Sequence, residues 1–334
     1  MPLWLEADLV VPLNLEEIYR ATCASLDMPP SLYIEDDCFR GVPTVEKTWI
    51  RTGPAHKNFE ATAVLPTLTD NATAYVRDWA REGKPFFLYL ALPSPHTPVV
   101  PTAAWKGQSK LNAYADFVMQ TDDAVGQVLR ALDTAGLADN TLVIFTSDNG
   151  CSPQANLGEL HAKGHQPGGR FRGHKADIFD GGHRVPFLVR WPGRVKPGAT
   201  SDQLVCLTDL LATCAEVVGE RVPAGAGEDS VSLLSARTGA KGPGREAVVH
   251  HSIDGSFAVR QGRWKLCLFP GTGGWSKPRP GKEDMGLPPV QLYDMGHDPG
   301  ETTNLHAQHP EVVGRLTRLL RKYGDEGCST PEVR

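Results

Sequence analysis

Three short segments of this 334-residue chain carry side chains able to handle an anionic ester. The first is Asp148-Asn149-Gly150, directly after an apolar run at 142–146. A carboxylate and an amide carbonyl at the C-terminal end of a buried strand are hard oxygen ligands. In open α/β sheets such strand ends face the ligand crevice. The pair suits Ca²⁺ or Mg²⁺, yet supplies only part of the roughly six to eight oxygens that calcium takes. Asp-Asn-Gly is also a strong turn former, and the tripeptide alone leaves both readings open. The second segment centres on Lys175, which precedes Asp180 in a stretch holding Gly173, Gly181 and Gly182. Those glycines let backbone approach a ligand closely, and the ammonium is a point positive charge for an anionic ester. The bland alternative is a solvated surface lysine. Arg184, just before Val185-Pro186, reads better as a structural fork on a buried carboxylate.

The third segment is His96, held between Pro95 and Pro98 after the apolar run 86–92. A histidine after a strand is more often structural. At the carboxyl edge of a sheet it is placed to touch substrate or to pass a proton to a leaving group. His165, His174 and His183 flank Lys175 in sequence and are candidates to line the same cleft.

Elements of two periodicities must position these residues. Residues 70–83 read as a helix through Ala74, Val76, Trp79 and Ala80, and residues 112–135 as a strong amphipathic helix closed by Gly136. The run 86–92 has the pattern of a strand buried on both faces. With the 112–135 helix and a strand at 142–146 it suggests a βαβ unit of a mainly parallel sheet. A further strand is expected at 185–191, and Thr208 or Asp209 can cap a helix through Leu210, Leu211, Cys214 and Val217. A Gly/Pro-rich linker at 219–245 leads to short strands near 247–250, 257–260, 264–268 and 291–293, then to an amphipathic helix carrying Val312, Leu316, Leu319 and Tyr323. That tail reads as a small antiparallel sheet with one helix.

Composition excludes some function classes. A net charge of −5 gives no basic footprint for nucleic acid. No apolar run is long enough for a membrane span, and the start Met1-Pro2-Leu3-Trp4 lacks the basic region of a secretory signal. The seven cysteines show no CxxC pair, so neither a zinc site nor a disulfide framework is implied.

Taken in order, His96, Asp148-Asn149 and Lys175 with the Gly181-Gly182-His183-Arg184 turn resemble the sulfatase family of the alkaline-phosphatase-like superfamily. The tail agrees through Gly255–Arg260, Trp264-Lys265-Leu266, Gln291–Asp294 and Asp298-Pro299-Gly300-Glu301. The resemblance covers roughly residues 23–334. It implies an α/β fold with a mainly parallel sheet sandwiched by helices, incomplete here, and a small C-terminal antiparallel sheet plus helix. The expected organisation is an atypical segment 1–22, a truncated catalytic α/β domain 23–235 and a C-terminal subdomain 246–334.

The resemblance also implies roles. Asp148 and Asn149 would be calcium ligands. His96 and Lys175 would be catalytic and bind the sulfate group, with His165 and His183 as further substrate contacts. Family members attack sulfur with a formylglycine made from a Cys/Ser-x-Pro/Ala-x-Arg segment. That segment is expected to be absent: Cys151-Ser152-Pro153-Gln154-Ala155 comes closest among the cysteines but has Ala155 where Arg is needed, and no serine is expected to fit. The Asp-Asp pair that completes the family's metal site is also expected to be missing, with Asp36-Asp37 as a decoy in a loop. The expected function is therefore an arylsulfatase-type sulfuric-ester hydrolase for an aryl or carbohydrate sulfate, as a fragment inactive alone. The alternatives are a phosphodiesterase or phosphonate monoester hydrolase of the same superfamily, and a non-catalytic sulfated-glycan-binding or degenerate protein. The family is often exported, so a full-length parent would be exported or periplasmic.

Overall fold

The computed structural model describes residues 21–23, 26–35, 38–223, 225–234 and 244–330. Expectations about residues 1–20, about Asp36-Asp37 and about the linker residues 235–243 lie outside the described residues. The chain forms two compact units. The second consists of Val143–Pro153 and Gln166–Arg334, and the first holds the residues before Val143 together with Gln154–His165.

The first unit opens with strands β1 (Ala21–Cys23), β2 (Tyr33–Glu35) and β3 (Cys38–Phe39), followed by the hairpin β4 (Val45–Thr48) and β5 (Thr52–Ala55). Helices α1 (Ala61–Glu82) and α2 (Ala113–Thr134) form its body. Val64, Leu65, Leu68, Ala72 and Val76 recur at helical spacing on the buried face of α1. Gly83, in a left-handed conformation, ends α1 by donating its N–H to Trp79 O. Asn112 caps α2 by accepting from Ala115 N. Phe117 and Ala124 of α2 pack on Leu65, while Leu92 joins this cluster to the one around Phe59, Val64 and Leu68.

The apolar run 86–92 departs from expectation. It has the alternation of a strand, with Phe86, Leu88, Leu90 and Leu92 half-buried and Phe87, Tyr89 and Ala91 exposed. One side packs, as where Phe86 meets Tyr75 edge-on at 5.9 Å, while Tyr89 remains 79% exposed. No strand ladder forms at 84–93 among the described residues. A run of apolar residues sets which side chains share a face, but not whether a neighbouring strand is there to cover the other.

In the second unit β6 (Val143–Thr146) pairs with β7 (Phe187–Arg190) in antiparallel register, Val143 opposite Arg190 and Thr146 opposite Phe187. The parallel βαβ unit expected of 86–92 and 142–146 is not seen among the described residues, where the first of these runs makes no ladder. Among the described residues every ladder between named strands is antiparallel, and a parallel pairing occurs only at the isolated bridge Ser31–Ala55.

The C-terminal part matches its expectation. Strands β8 (Val248–His251), β9 (Phe257–Gln261), β10 (Trp264–Cys267) and β11 (Gln291–Asp294) form an antiparallel sheet in the order β11-β10-β9-β8. The remaining helices are the short α3 (Leu157–Ala162, in the first unit) and α4 (Asp180–His183), then α5 (Asp209–Val217) and α6 (Pro310–Glu326). No helix among the described residues is long and apolar enough to cross a membrane. Period-2 alternation divides the sheet's side chains. Val259, Leu266 and Leu292 pack on Val312, Leu316 and Tyr323 of α6, and Ala258, Cys267 and Tyr293 pack on Ile178 and Phe179. Leu316 is fully buried. Replacing it by Ala is expected to cost about 2–5 kcal/mol through lost burial and a cavity, read as a lowered urea midpoint at unchanged slope.

Candidate active site

The site is assembled by backbone contact. Strand β6 delivers Ser147-Asp148-Asn149-Gly150, and Gly150 N donates to Gly182 O at 2.9 Å. A Cβ on Gly150 would lie 1.8 Å from Gly181 O, and one on Gly181 would lie 2.3 Å from Gly173 O. Only glycine allows these three backbone segments to touch. Lys175 N donates to Cys151 O at 2.9 Å, so the Asp148–Gly150 turn and Lys175 are held side by side.

The segment around Lys175 is fixed from its other side too. Ala176 has φ +83°, a left-handed backbone that costs an alanine about 1–3 kcal/mol. Flanking bonds hold it there. The Asp177 carboxylate is fully buried; Oδ1 accepts from Trp275 N and Ser276 N, both at 2.9 Å, and Oδ2 accepts from His174 N at 3.0 Å. Ile253 N donates to Ala176 O and Ile178 N donates to Thr272 O. His174 Nδ1 lies 2.9 Å from Lys175 O, which ties its ring into the same loop.

Beneath this loop lies a buried charge cluster that sequence reasoning missed. Lys265, fully buried in β10, donates to Ile178 O at 2.8 Å and to Asp180 Oδ1 at 3.0 Å, and pairs with Glu301 at 2.8 Å. Asp180 also meets Arg260 at 3.3 Å and takes Arg184 only at 3.9 Å. Glu301 Oε2 accepts from Asp180 N at 2.6 Å, and Arg172 donates to Glu301 O at 2.8 Å. Burial alone would raise the Asp180 carboxyl, but Lys265 and the arginines outweigh it and hold it below the usual carboxylate range. Burial pushes Glu301 up, with Lys265 pulling against it. Burial disfavours charge on Lys265, yet Glu301 and Asp180 more than offset this and keep it an ammonium. Arg184 does not make the fork on a buried carboxylate read from the sequence: it approaches Asp180 only at 3.9 Å, with its guanidinium over the Phe171 ring at 4.6 Å.

Asp148 is exposed and its carboxylate is spent locally: Oδ1 accepts from Asn149 N at 2.9 Å and from Ser147 Oγ at 3.3 Å, and Asn149 Nδ2 donates to Oδ2. The Asp148 carboxylate and the Asn149 amide carbonyl have the hard-oxygen chemistry that suits Ca²⁺ or Mg²⁺. The described residues bring no group of three or more His, Cys, Asp or Glu together to complete a shell.

The histidines separate. His183 is in the same unit as Lys175, but its Nε2 is buried without a hydrogen-bond partner and its ring stacks 4.4 Å from His250. Burial, then the charge of Lys265, lowers its pKa to about 4. His96 and His165 belong to the first unit. Both are exposed. His96 Nδ1 lies 2.9 Å from Thr97 O, which favours a proton on Nδ1 and leaves Nε2 as the acceptor. His165 follows α3 and donates its N–H to Leu160 O.

One serine does fit the nucleophile spacing, contrary to expectation: Ser256-Phe257-Ala258-Val259-Arg260. The structure gives it another use. Ala258 and Val259 are core residues of β9, Arg260 is engaged with Asp180, and Ser256 N donates to Asp254 Oδ1 in a tight turn. It also follows Asp148-Asn149 in the chain, where the family's nucleophile precedes that pair.

Residues 38–220 match the Sulfatase family model, and residues 174–325 match the N-sulphoglucosamine sulphohydrolase C-terminal model. The chain belongs to the sulfatase family. It is 32% identical over 301 residues to an N-acetylgalactosamine-6-O-sulfatase of Bacteroides thetaiotaomicron, covering 88% of this chain and 57% of that protein. It is 31% identical over 272 residues to human N-acetylgalactosamine-6-sulfatase, covering 75% and 50%. A solved structure from work on glycosaminoglycan metabolism by B. thetaiotaomicron superposes with a TM-score of 0.78 at 28% identity, over 91% of this chain and 72% of that one. The sulfatase chain thus spans about half the length of the curated relatives it matches.

Two outcomes follow for this sulfatase's buried groups. Lys265→Ala leaves Asp180 and Glu301 buried without their counter-charge and is expected to destabilise the second unit by about 3–5 kcal/mol, measured by urea unfolding. His183, with an ordinary value of 6.5 and a folded value of about 4, binds fewer protons folded than unfolded between those pH values. Its contribution is therefore complete above 6.5 and is lost progressively as pH falls toward 4. The Tm of His183→Gln should fall less steeply than wild type over that window; parallel profiles would contradict the assignment.

Proposed function

We propose that this chain carries the sulfate-binding and leaving-group side of a sulfuric-ester hydrolase acting on an aryl or carbohydrate sulfate. The observation that supports the reading is the backbone junction of Gly150 with Gly182 and of Cys151 with Lys175, which joins the loop carrying Lys175 to the turn carrying Asp148 and Asn149. In this reading Lys175 Nζ binds sulfate oxygens as a point charge. Asp148 and Asn149 hold part of a calcium shell, and the ion when bound would polarise the ester's sulfate oxygens. To His96 we assign the leaving-group oxygen, with Nε2 as the atom facing it, which would pass it a proton from the doubly protonated ring. His165 is the remaining exposed candidate for substrate contact. His183 is assigned a supporting place through its packing on His250. The mainly parallel sheet of the alkaline-phosphatase-like fold belongs to this proposal as well.

A second reading, sulfated-glycan binding without cleavage, is favoured by one observation. The only Cys/Ser-x-Pro/Ala-x-Arg segment of these 334 residues is built into β9. The two readings part on a single assay. The purified chain is expected to bind p-nitrophenyl sulfate and to lose about tenfold in affinity with Lys175→Ala, the scale of one charge-assisted contact. It is expected to release p-nitrophenol no faster than that variant. Turnover above the variant, stoichiometric in protein and accompanied by a formylglycine mass shift, would show that the chain holds a nucleophile. Equal binding by the two proteins would remove Lys175 from the site.

A further inference from the structure

Away from the candidate active site, a cleft of about 290 Å³ opens beside β9 and α6, lined by Glu246, Gln261, Arg315, Arg318, Leu319 and Lys322. Its charge pattern works against the helix that bears it. Arg315 and Arg318 are three residues apart, and Arg318 and Lys322 four apart. Like charges at both spacings repel on a helix surface. The one carboxylate in the cleft does not relieve them. Glu246 Oε1 accepts from Gln261 Nε2 at 3.1 Å, and Oε2 accepts from Tyr323 Oη at 3.1 Å, so neutral donors occupy both oxygens. Arg315 donates to the neutral Gln261 Oε1. Lys322 reaches a carboxylate only at 3.9 Å, on Glu326 beyond the cleft, and Glu311 at the other end is turned to His309 at 3.3 Å. Three cations thus converge on one groove with no close ion partner in it among the described residues.

We propose that this cleft binds an anionic polysaccharide bearing sulfate groups, at a second site independent of the one around Lys175. The residues from Arg315 to Lys322 run along about 10 Å of helix axis, which suits anionic groups spaced along a chain rather than one small ion. Guanidinium forks pair bidentately with sulfate or carboxylate oxygens. Leu319 gives an apolar floor for a ring face. A nucleic acid fits less well, because the cleft holds no aromatic ring to stack a base and the chain's net charge is −5.

The test is fluorescence anisotropy of the full chain with a labelled chondroitin sulfate octasaccharide, with its desulfated form and a single-stranded oligonucleotide as competitors. Arg318→Glu/Lys322→Glu is expected to weaken binding by at least about tenfold, since each lost charge-assisted contact is of that order. Arg318→Gln should fall between it and wild type. Lys57→Glu/Lys106→Glu, with the same charge change on exposed positions elsewhere, should bind within about twofold of wild type, and added salt should weaken wild-type binding. Matching melting curves for the variants keep the comparison one of binding. The inference is overturned if the Arg318/Lys322 variant binds like wild type, if the control loses as much, or if the oligonucleotide competes as well as the sulfated glycan. Because none of the residues assigned to the candidate active site is altered, loss of binding in the Arg318/Lys322 variant is distinguishable from failure of the assay for that site.

Discussion

The second unit depends on one buried ammonium. Strand alternation places Lys265 on the same face of β10 as Cys267, the face covered by Ile178 and Phe179. From there Nζ reaches the carbonyl of residue 178, the carboxylate of residue 180 and Glu301. A charge this deep is costly to desolvate, and its attraction to two carboxylates does little more than offset that cost. What the arrangement secures is geometry. Asp180 starts α4, whose Gly181 and Gly182 carry the contacts to Gly150 and His174. The register of the C-terminal sheet is thereby transmitted to the loop that presents Lys175.

The same loop shows how local strain and tertiary bonding trade against each other. Ala176 sits where alanine is disfavoured, yet its own carbonyl, its neighbour Asp177 and the next amide but one are each hydrogen-bonded to the turns at 252–254 and 272–276. An over-determined backbone can hold such a residue, and strained positions of this kind cluster at binding sites. The bonds of Lys175 N, Ala176 O, Asp177 and Ile178 N hold the backbone there in position, and under the proposed function the ammonium of Lys175 binds sulfate oxygens.

Much of this was legible in the sequence where periodicity or covalent constraint decides the outcome. The helices at 61–82 and 113–134, the four short C-terminal strands and the last helix all follow apolar spacing, whereas the glycines of 173, 181 and 182, read as room for a ligand, serve close contact of backbone with backbone. The start of α1 was not legible, because Pro66 lies inside it and breaks the expected pattern. Lys265 and Glu301 were invisible as a pair. A lysine in a short strand reads as its solvent face, and Glu301 sits in a turn 36 residues later with no pattern linking them. The direction of β7 relative to β6 was equally hidden, since alternation fixes which side chains share a face and says nothing of strand sense. Ser256 shows the converse: a motif-like spacing that strand burial, not chemistry, accounts for.

Backbone ladders and metal shells share a physical logic here. Each needs partners that are remote in sequence, and local pattern reveals only one side. The 84–93 segment carries the alternation of a strand, but among the described residues it makes no ladder, so its outward rings, Phe87 and Tyr89, stay exposed. Asp148 and Asn149 carry the oxygen chemistry of a calcium ligand pair, yet hydrogen-bond to each other rather than converge with further carboxylates. Under the proposed function further oxygen ligands beside Asp148 and Asn149 would complete the shell, and an ion bound only by the completed site would stabilise the residues that form it by its own binding free energy.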